Sequence, residues 1–258
     1  MTETTAAQPL AGKTAVVTGS SRGVGADTAK LLAAQGAAVV VNYRQKAPRA
    51  NKVVKEITEA GGRAIAVGGD LTNPEDVRAL MKAAVDEFGS LDVLVLNASG
   101  GMETSMGEDY ALRLNRDAQV DALEAGTALM GEGGRVVYVT SHQAHFIREV
   151  ETMPQYEQVA LSKRAGEDAL NEKVDGLAAK GITFVTVSGD MIEGTITATL
   201  LDRAQPGAIE ARREAAGKLY SVAEFAQEVA AMATADVPTG HVELVGGADD
   251  FLAQAKKA

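Results

Sequence analysis

The sequence predicts a doubly wound α/β domain of the Rossmann type, with a parallel β-sheet between two layers of helices. Short runs rich in valine and isoleucine recur along the chain, and longer helical patterns separate them. Such runs are typical of strands buried on both faces, and parallel neighbours need a crossover of a dozen or more residues. The predicted strands are TAVVTG, AAVVVNY, RAIAVGGD, LDVLVLNAS, GRVVYVTS, ITFVTVSG and GHVELVGG.

Two helix starts support this pattern. Asn73 precedes PEDV, where proline suits the first helical turn, and Ser221 is followed three residues later by Glu224, as in a capping box. Two stretches have no clear pattern, residues 142–155 and the segment after Gly189. Both follow strand carboxyl ends, which is where sheets of this kind bind ligands.

The chain length predicts a single domain. The 258 residues suit one sizeable core, and no linker-like break interrupts the alternation. We assign residues 12–258 to the domain and residues 1–11 to a flexible tail, because MTETTAAQ is small and polar. That start does not resemble a signal peptide, and no run approaches the roughly 18 apolar residues of a membrane span. These features predict a cytoplasmic protein.

Composition excludes several kinds of partner and site. A net charge of −10 without a long basic cluster disfavours nucleic acid and anionic membranes. The chain has no cysteine, which excludes disulfides and thiolate metal sites. Its three histidines form no recognisable ligand set, so no metal is predicted. Small molecules are the expected ligands.

The first strand leads into a glycine-rich turn, TGSSRGVG. Small residues there let the backbone approach a pyrophosphate, which then sits at a helix amino terminus where N–H groups and the dipole favour anions. A tight turn without a ligand would also use glycines, but its place after the first strand of a doubly wound sheet favours nucleotide binding.

These residues open a series of motifs that resembles the short-chain dehydrogenase/reductase family. The pattern T-G-x-x-x-G-x-G is followed by GGDLTN, by LNAS in place of N-N-A-G, and by ALSKRAGEDAL, which resembles the active-site helix. The resemblance covers residues 12–247 and implies nicotinamide cofactor binding. The residues expected to contact the cofactor are Gly19, Ser21, Arg22, Gly23, Val24, Gly25, Tyr43, Arg44, Asp70, Leu71, Asn97, Ala98, Ser99, Lys163 and Gly189.

The choice between NADP(H) and NAD(H) is a question of charge. A bare ribose is usually held by an acidic residue at the end of the second strand, but this strand ends VNYR. Arg44 follows it and Arg22 lies in the glycine turn, so two guanidinium groups could bracket a 2′-phosphate. The sequence therefore predicts NADP(H).

The resemblance also implies the catalytic residues, with one departure. Ser141, Lys163 and Asn115 match the family's serine, lysine and asparagine, but Val159 stands four residues before Lys163, where the family has tyrosine. Tyr156 stands seven residues before Lys163, and on a regular helix seven residues rise about 10.5 Å compared with about 6 Å for four. We predict Tyr156 as the acid if the segment near Pro154 departs from a regular helix.

Several alternatives stay open at this point. His142 and His145 are reserve proton donors, because imidazole titrates near neutral pH. The favoured activity is ketoreductase-like conversion of a ketone to an alcohol, while a non-catalytic NADP(H)-binding protein and an enoyl reductase are the alternatives. Residues 190–215 are expected to cover a carbonyl or alcohol substrate. The resemblance implies a homodimer or homotetramer. Three arginines could meet an acidic substrate but are more typical of a solvated helix face: Arg203, Arg212 and Arg213.

Overall fold

The computed structural model describes residues 8–102 and 106–255, and within them a single seven-stranded parallel sheet. The strand order is β3-β2-β1-β4-β5-β6-β7, so the chain reverses direction across the sheet between β1 and β4. The strands are β1 (Thr14–Val17), β2 (Ala38–Tyr43), β3 (Arg63–Gly68), β4 (Val93–Leu96), β5 (Arg135–Ser141), β6 (Thr183–Gly189) and β7 (His241–Val245). The predicted doubly wound fold and all seven predicted strands are confirmed.

Helices cover both faces of this sheet. In chain order they are α1 (Gly23–Ala34), α2 (Ala47–Glu59), α3 (Pro74–Phe88), α4 (Tyr110–Leu112), a π-helical turn (Arg113–Asp117), α5 (Ala118–Thr127), α6 (His142–His145), α7 (Glu157–Asn171), α8 (Val174–Ala178), α9 (Ile196–Ala204), α10 (Ala208–Ala216), α11 (Val222–Ala231) and α12 (Ala248–Ala255). Within the described ranges, no helix is both long and apolar enough to span a bilayer.

Alternate residues of a strand pack in two separate cores, one on each face of the sheet. Val39 and Val41 pack in the core that contains α1, α2 and α11, whereas Val40 packs in the core that contains α3 and α5. Because successive side chains of a strand point to opposite faces, the three consecutive valines of β2 contribute to both cores.

The two predicted helix starts are confirmed. The Asn73 side chain accepts a hydrogen bond from the Glu75 N–H at 3.0 Å, and Pro74 is the first residue of α3. Ser221 and Glu224 form a reciprocal capping box at the start of α11. Both caps satisfy backbone donors that the first helical turn leaves without partners.

The patternless stretches adopt specific local structures. Residues 142–155 contain the single turn α6 followed by irregular backbone, and the segment after Gly189 folds into α9 and α10. Residues 1–7 of the predicted tail lie outside the described residues. Residues 8–11 form a turn in which Leu10 is buried and its N–H donates to the Gln35 carbonyl, so packing begins before residue 12.

Candidate active site

A cavity of about 700 Å³ opens at the carboxyl ends of the strands, around the point where the strand order reverses. Its walls include the turn after β1, the residues after β3 and β4, and the ends of β5 and β6. This is the position at which open parallel sheets bind nucleotides. All fifteen residues predicted to contact the cofactor line this cavity.

The glycine turn is shaped by close backbone approaches. Gly19 and Gly23 have φ values of 62° and 58°, in the left-handed region that favours glycine. A Cβ atom on Gly19 would lie 3.0 Å from the Cα of Ala98, and one on Gly25 would lie 2.5 Å from the Asn97 amide nitrogen. A side chain at either position would push these two segments apart.

Hydrogen bonds hold the end of β4 against this turn. The Thr18 hydroxyl accepts from the backbone N–H groups of Asn97 and Ala98, at 2.9 and 3.0 Å. In return, the Asn97 amide donates to the Thr18 carbonyl at 2.9 Å. From the other side, the Asn42 side-chain oxygen accepts from the Gly19 N–H at 3.0 Å. The turn is therefore fixed in shape by the side chains of Thr18, of Asn42 on β2 and of Asn97, which follows β4.

The residues after β3 form the next part of the wall. The Asp70 carboxylate accepts from the Thr72 N–H at 3.0 Å and from the Thr72 hydroxyl at 2.8 Å, so its orientation is set locally. Leu71 is buried beside it. This arrangement leaves one polar and one apolar side chain on the cavity wall, which suits a base of a nucleotide.

Basic side chains gather where β2 ends. Arg22 and Arg44 both line the cavity, together with Lys46 and Arg49. The Arg44 guanidinium donates a hydrogen bond to the Tyr110 hydroxyl and lies 5.5 Å from the centre of its ring. These cations stand together in a chain with a net charge of −10, and a group of basic side chains is suited to contact with an anion.

The part of the cavity lined by Ser141, Tyr156 and Lys163, which we call the reacting end, places the Tyr156 hydroxyl beside Ser141. Tyr156 precedes the first residue of α7, with φ −109° and ψ −9°, and its hydroxyl lies 3.4 Å from the Ser141 Oγ. Lys163 is buried on α7, and all three residues line the cavity. The segment before Tyr156 is irregular, but Tyr156 itself caps α7, because its carbonyl accepts from the Ala160 N–H at 2.8 Å. Tyr156 therefore keeps its seven-residue helical spacing from Lys163, and the irregular segment lies between Ser141 and Tyr156.

Val159 occupies the family's usual tyrosine position without facing the cavity. It is buried in an apolar cluster that also contains Tyr156, Ala160, Met191 and Leu201. Packing, and not chemistry, therefore accounts for the valine.

Burial shifts both titratable groups of the reacting end. It raises the pKa of the Tyr156 phenol above its usual value, and the hydrogen bond from Ser141 offsets part of that rise. It lowers the pKa of the Lys163 ammonium to about 8, against the opposing effect of the Glu167 carboxylate. The lysine is therefore charged at neutral pH.

Asn115 lies behind the cavity wall. Its amide nitrogen donates to the Gly100 carbonyl at 2.8 Å and to the Ser162 hydroxyl at 2.9 Å. It belongs to the π-helical turn, and a Cβ on Gly166 would lie 2.0 Å from its carbonyl oxygen, so α7 packs closely against it. In this position the side chain joins two segments of the wall, and its role in catalysis stays a prediction.

Neither reserve histidine lies on the cavity wall. His142 is fully buried, and its Nε2 donates to the Gly246 carbonyl at 2.7 Å, so Nδ1 accepts from the Ser188 hydroxyl at 2.8 Å. Burial lowers the pKa of His142. His145 pairs with the buried Glu167 at 2.6 Å. Both imidazoles are engaged in structural contacts away from Ser141.

The segment after β6 forms the remaining wall, which is mostly apolar. Its lining residues are Asp190, Met191, Ile192, Gly194, Thr195, Ile196, Thr197, Ala198 and Leu201. The three arginines of this region do not line the cavity. Arg203 is exposed as predicted, but Arg212 is mostly buried and bridges Asp190 and Asp250, so the prediction of a solvated face is wrong for Arg212.

The lining residues that escaped the sequence analysis include Asn42, Lys46, Arg49 and Gln143. The basic run RQKAPR after β2 indicates Lys46 and Arg49. No local pattern points to Asn42 or Gln143, because their contacts are distant in sequence. Among the residues described, no group of three His, Asp or Glu side chains could hold a metal ion.

Comparison with known proteins agrees with this geometry. The family model described as short chain dehydrogenase matches residues 13–205. An uncharacterized oxidoreductase of Methylorubrum extorquens is 44% identical over 138 residues, which are 51% of this chain and 56% of the relative. A hydroxynaphthalene reductase-like protein of Metarhizium majus is 37% identical over 164 residues, 61% of this chain and 60% of the relative. The matches thus span less than two thirds of either relative.

A solved structure extends the likeness over nearly the whole chain. The crystal structure of a short chain dehydrogenase from Burkholderia cenocepacia in complex with NADP is 30% identical, with a TM-score of 0.79. The superposition covers 93% of this chain and 98% of that one. With three quarters of the sequence inside the family model and the same fold over nearly the whole chain, the chain belongs to the short-chain dehydrogenase family, whose members are oxidoreductases that bind nicotinamide cofactors.

Proposed function

We propose that this protein is an NADP(H)-dependent reductase that converts a ketone to an alcohol. The observation that carries the proposal is the 3.4 Å separation of the Tyr156 and Ser141 hydroxyls, on a cavity wall shared with Lys163. Two hydroxyl groups that converge in this way can hold one carbonyl oxygen, and one of them can give it a proton.

The cavity fits a dinucleotide. The cavity has a volume of about 700 Å³, and the glycine turn forms part of its wall. The turn has no room for side chains at Gly19 and Gly25, whose Cβ atoms would collide with the residues after β4. Backbone N–H groups at the start of α1 would hold the pyrophosphate, and Asp70 would contact the adenine. Tyr43, beside Arg44, would flank the adenosine ribose.

The preference for NADP(H) over NAD(H) rests on charge. Arg22 and Arg44 both line the cavity, where a 2′-phosphate would gain charge-assisted hydrogen bonds from them. Lys46 and Arg49 add to the positive potential. A structural neighbour, 30% identical, was solved with NADP, which supports the same choice here.

Bound NADPH would supply a hydride to the carbonyl carbon. As that carbon is reduced, negative charge develops on the carbonyl oxygen, where Ser141 donates a hydrogen bond and Tyr156 donates its proton. The ammonium of Lys163, charged below about pH 8, stabilises the phenolate that remains. Lys163 would also hold the ribose next to the nicotinamide.

Burial has opposite effects on the two proton-carrying side chains. It keeps the phenol of Tyr156 protonated and ready to donate, because its pKa is raised. Charged Lys163 then lowers the cost of losing that proton, since opposite charges attract strongly in a buried site. The pair therefore suits reduction near neutral pH better than an isolated phenol would.

NADPH consumption against a panel of ketones and matched enones tests this proposal. We expect oxidation of NADPH with ketones and formation of the alcohol. Turnover of enones alone would identify an enoyl reductase. Binding of NADPH without turnover of either class would favour a non-catalytic binding protein. Repeating the panel with NADH tests the cofactor choice in the same assay.

The assembly and location are also proposals. The family resemblance supports a homodimer or homotetramer acting in the cytoplasm on a small carbonyl or alcohol substrate, with no nucleic acid or membrane partner. Light scattering on the purified protein would give the mass of the assembly, and a monomer at micromolar concentration would contradict this part of the proposal.

A further inference from the structure

We propose that Gln143 is a positioning residue that holds Tyr156 against Ser141. This inference rests on the proposed function, in which Tyr156 is the acid. A tyrosine one turn earlier than usual needs another means of support, and the contacts of Gln143 supply one.

The backbone around Tyr156 shows why support is needed. Tyr156 precedes α7, so its N–H is outside the hydrogen-bond ladder of that helix and donates instead to the Met153 carbonyl at 2.8 Å. The Tyr156 carbonyl accepts from the Ala160 N–H at 2.8 Å, and the ring packs in the apolar cluster around Val159. The loop that contains Met153 supplies the remaining backbone contact that positions the phenol. A loop of this kind is held in one place only if its own polar groups are bonded to something rigid.

Gln143 makes those bonds. Its side-chain oxygen accepts from the Met153 N–H at 3.1 Å and also from the Thr152 hydroxyl. The contacts form a closed ring. From Ser141 the chain runs two residues to Gln143, whose side chain holds Met153; the Met153 carbonyl holds the N–H of Tyr156, and the phenol returns to Ser141.

The base of this ring is rigid. Gln143 belongs to α6, between two histidines with buried partners. His142 is bonded to Ser188 on β6 and to the Gly246 carbonyl after β7, while His145 is paired with Glu167 on α7. These two histidines, which the sequence indicates as reserve acids, thus fix α6 to β6, to the residues after β7 and to α7. Gln143 is therefore held firmly enough to position the loop.

Gln143 also lines the cavity, so its amide could instead contact the substrate directly. The two roles predict different coupling. A residue that acts through Tyr156 has no further effect once the phenolic oxygen is absent, whereas a residue that binds substrate has the same effect with or without it.

A double-mutant cycle separates these roles. Gln143→Met keeps the side-chain length and removes the acceptor, and we expect turnover to fall roughly 10- to 100-fold, because small misplacements of a reacting group are costly. The NADPH dissociation constant should stay within about twofold of the native value. In the Tyr156→Phe background, adding Gln143→Met should leave the single-turnover rate unchanged. Gln158→Met, an exposed change on α7, is the control.

A second measurement does not depend on activity. With tyrosine labelled at the ζ-carbon with ¹³C, the Tyr156 resonance can be identified by its loss in Tyr156→Phe, since the chain has five tyrosines. Release of the phenol to water should move its titration midpoint downward in Gln143→Met, because burial is what raises the pKa. Thr152→Val, which removes one of the two donors to Gln143, should give a smaller change in the same direction and serves if Gln143→Met does not fold.

Two results would overturn the positioning role. One is an equal loss of turnover from Gln143→Met in the native and Tyr156→Phe backgrounds, which would indicate direct substrate contact. The other is an unchanged Tyr156 resonance and titration in both variants. If the native protein reduces no ketone, the proposed function fails, but the labelled-tyrosine experiment still decides whether Gln143 holds the phenol.

Discussion

The two ends of the cavity are built by different means. The nucleotide end consists of the glycine turn, the end of β4 and the residues after β3, all of which lie at the ends of regular strands. Every residue predicted to contact the cofactor lines the cavity wall. At the reacting end, Ser141 and Lys163 lie on a predicted strand and a predicted helix, but Tyr156 is the residue at which an irregular segment joins α7. The path from Ser141 to Tyr156 is irregular, so sequence spacing alone does not place the phenol beside Ser141.

The two ends also differ in how their contacts are marked in the sequence. The glycine turn is recognisable by its own glycines, although the atoms that crowd Gly19 and Gly25 belong to Ala98 and Asn97. The Tyr156 N–H is held by the Met153 carbonyl and, through Met153, by Gln143, and no motif marks these residues. The nucleotide end should therefore tolerate changes in the loop, and the reacting end should not.

Lys163 belongs to both ends, so its removal should have the largest effect. We expect Lys163→Ala to lower turnover by roughly 1,000-fold and to weaken NADPH binding by about 10-fold, since one ammonium serves the acid and the ribose. Steady-state kinetics and a fluorescence titration of NADPH would measure the two losses. Lys52→Ala, at an exposed position on α2, is the control, and full turnover in Lys163→Ala would show that α7 has been misassigned.

Arg44 belongs to the nucleotide end alone. Arg44→Asp deletes one phosphate contact and adds repulsion, so the preference for NADPH over NADH should narrow by roughly 10-fold or reverse. Turnover at saturating cofactor should change much less. Titration of both cofactors against the native protein, Arg44→Asp and the exposed variant Arg203→Asp gives the ratios. Equal affinities in the native protein would remove the charge argument.

Lys163 also makes a smaller, pH-dependent contribution to stability. Its pKa in the folded protein, about 8, is below the ordinary value of 10.5, so burying the charged form destabilises the fold fully below about pH 8. That cost disappears as pH rises from about 8 towards 10.5. We expect Lys163→Met to raise the Tm by roughly 5 °C at pH 6.5 and by less at pH 9.5.

Thermal unfolding at the two pH values, with Lys52→Met as the exposed control, measures this difference. A gain in Tm that is equal at both pH values would assign it to packing of the methionine. No gain at either would mean that the Lys163 ammonium is better solvated in the cavity than its burial indicates.

Much of the fold was predictable because the responsible forces are local or repeat along the chain. Valine-rich runs marked the strands, while Asn73 and Ser221 marked helix starts through their own side chains. Lys46 and Arg49 were visible as a basic run but gained meaning only when the fold turned them towards the cavity. Contacts between distant segments were not predictable, as with Asn42 and the Gly19 N–H.

The reacting end shows the same limit more sharply. The valine at position 159 left open which side chain is the acid, and Pro154 indicated irregular backbone before Tyr156. The sequence could not place the Tyr156 phenol. That position depends on packing in the apolar cluster around Val159 and on the hydrogen bonds of Gln143. The histidines stayed open as reserve donors because nothing local reveals that Ser188, Gly246 and Glu167 engage them.

The most direct test of the displaced acid is the single-turnover rate of ketone reduction by Tyr156→Phe. The change removes one oxygen and keeps the ring in its apolar cluster, so folding and NADPH affinity should hold while the rate falls by roughly 100-fold or more. Tyr220→Phe, outside the cavity lining, should match the native rate. A Tyr156→Phe rate close to the native one, with loss of turnover in His142→Ala or His145→Ala, would assign the proton to an imidazole and contradict the account.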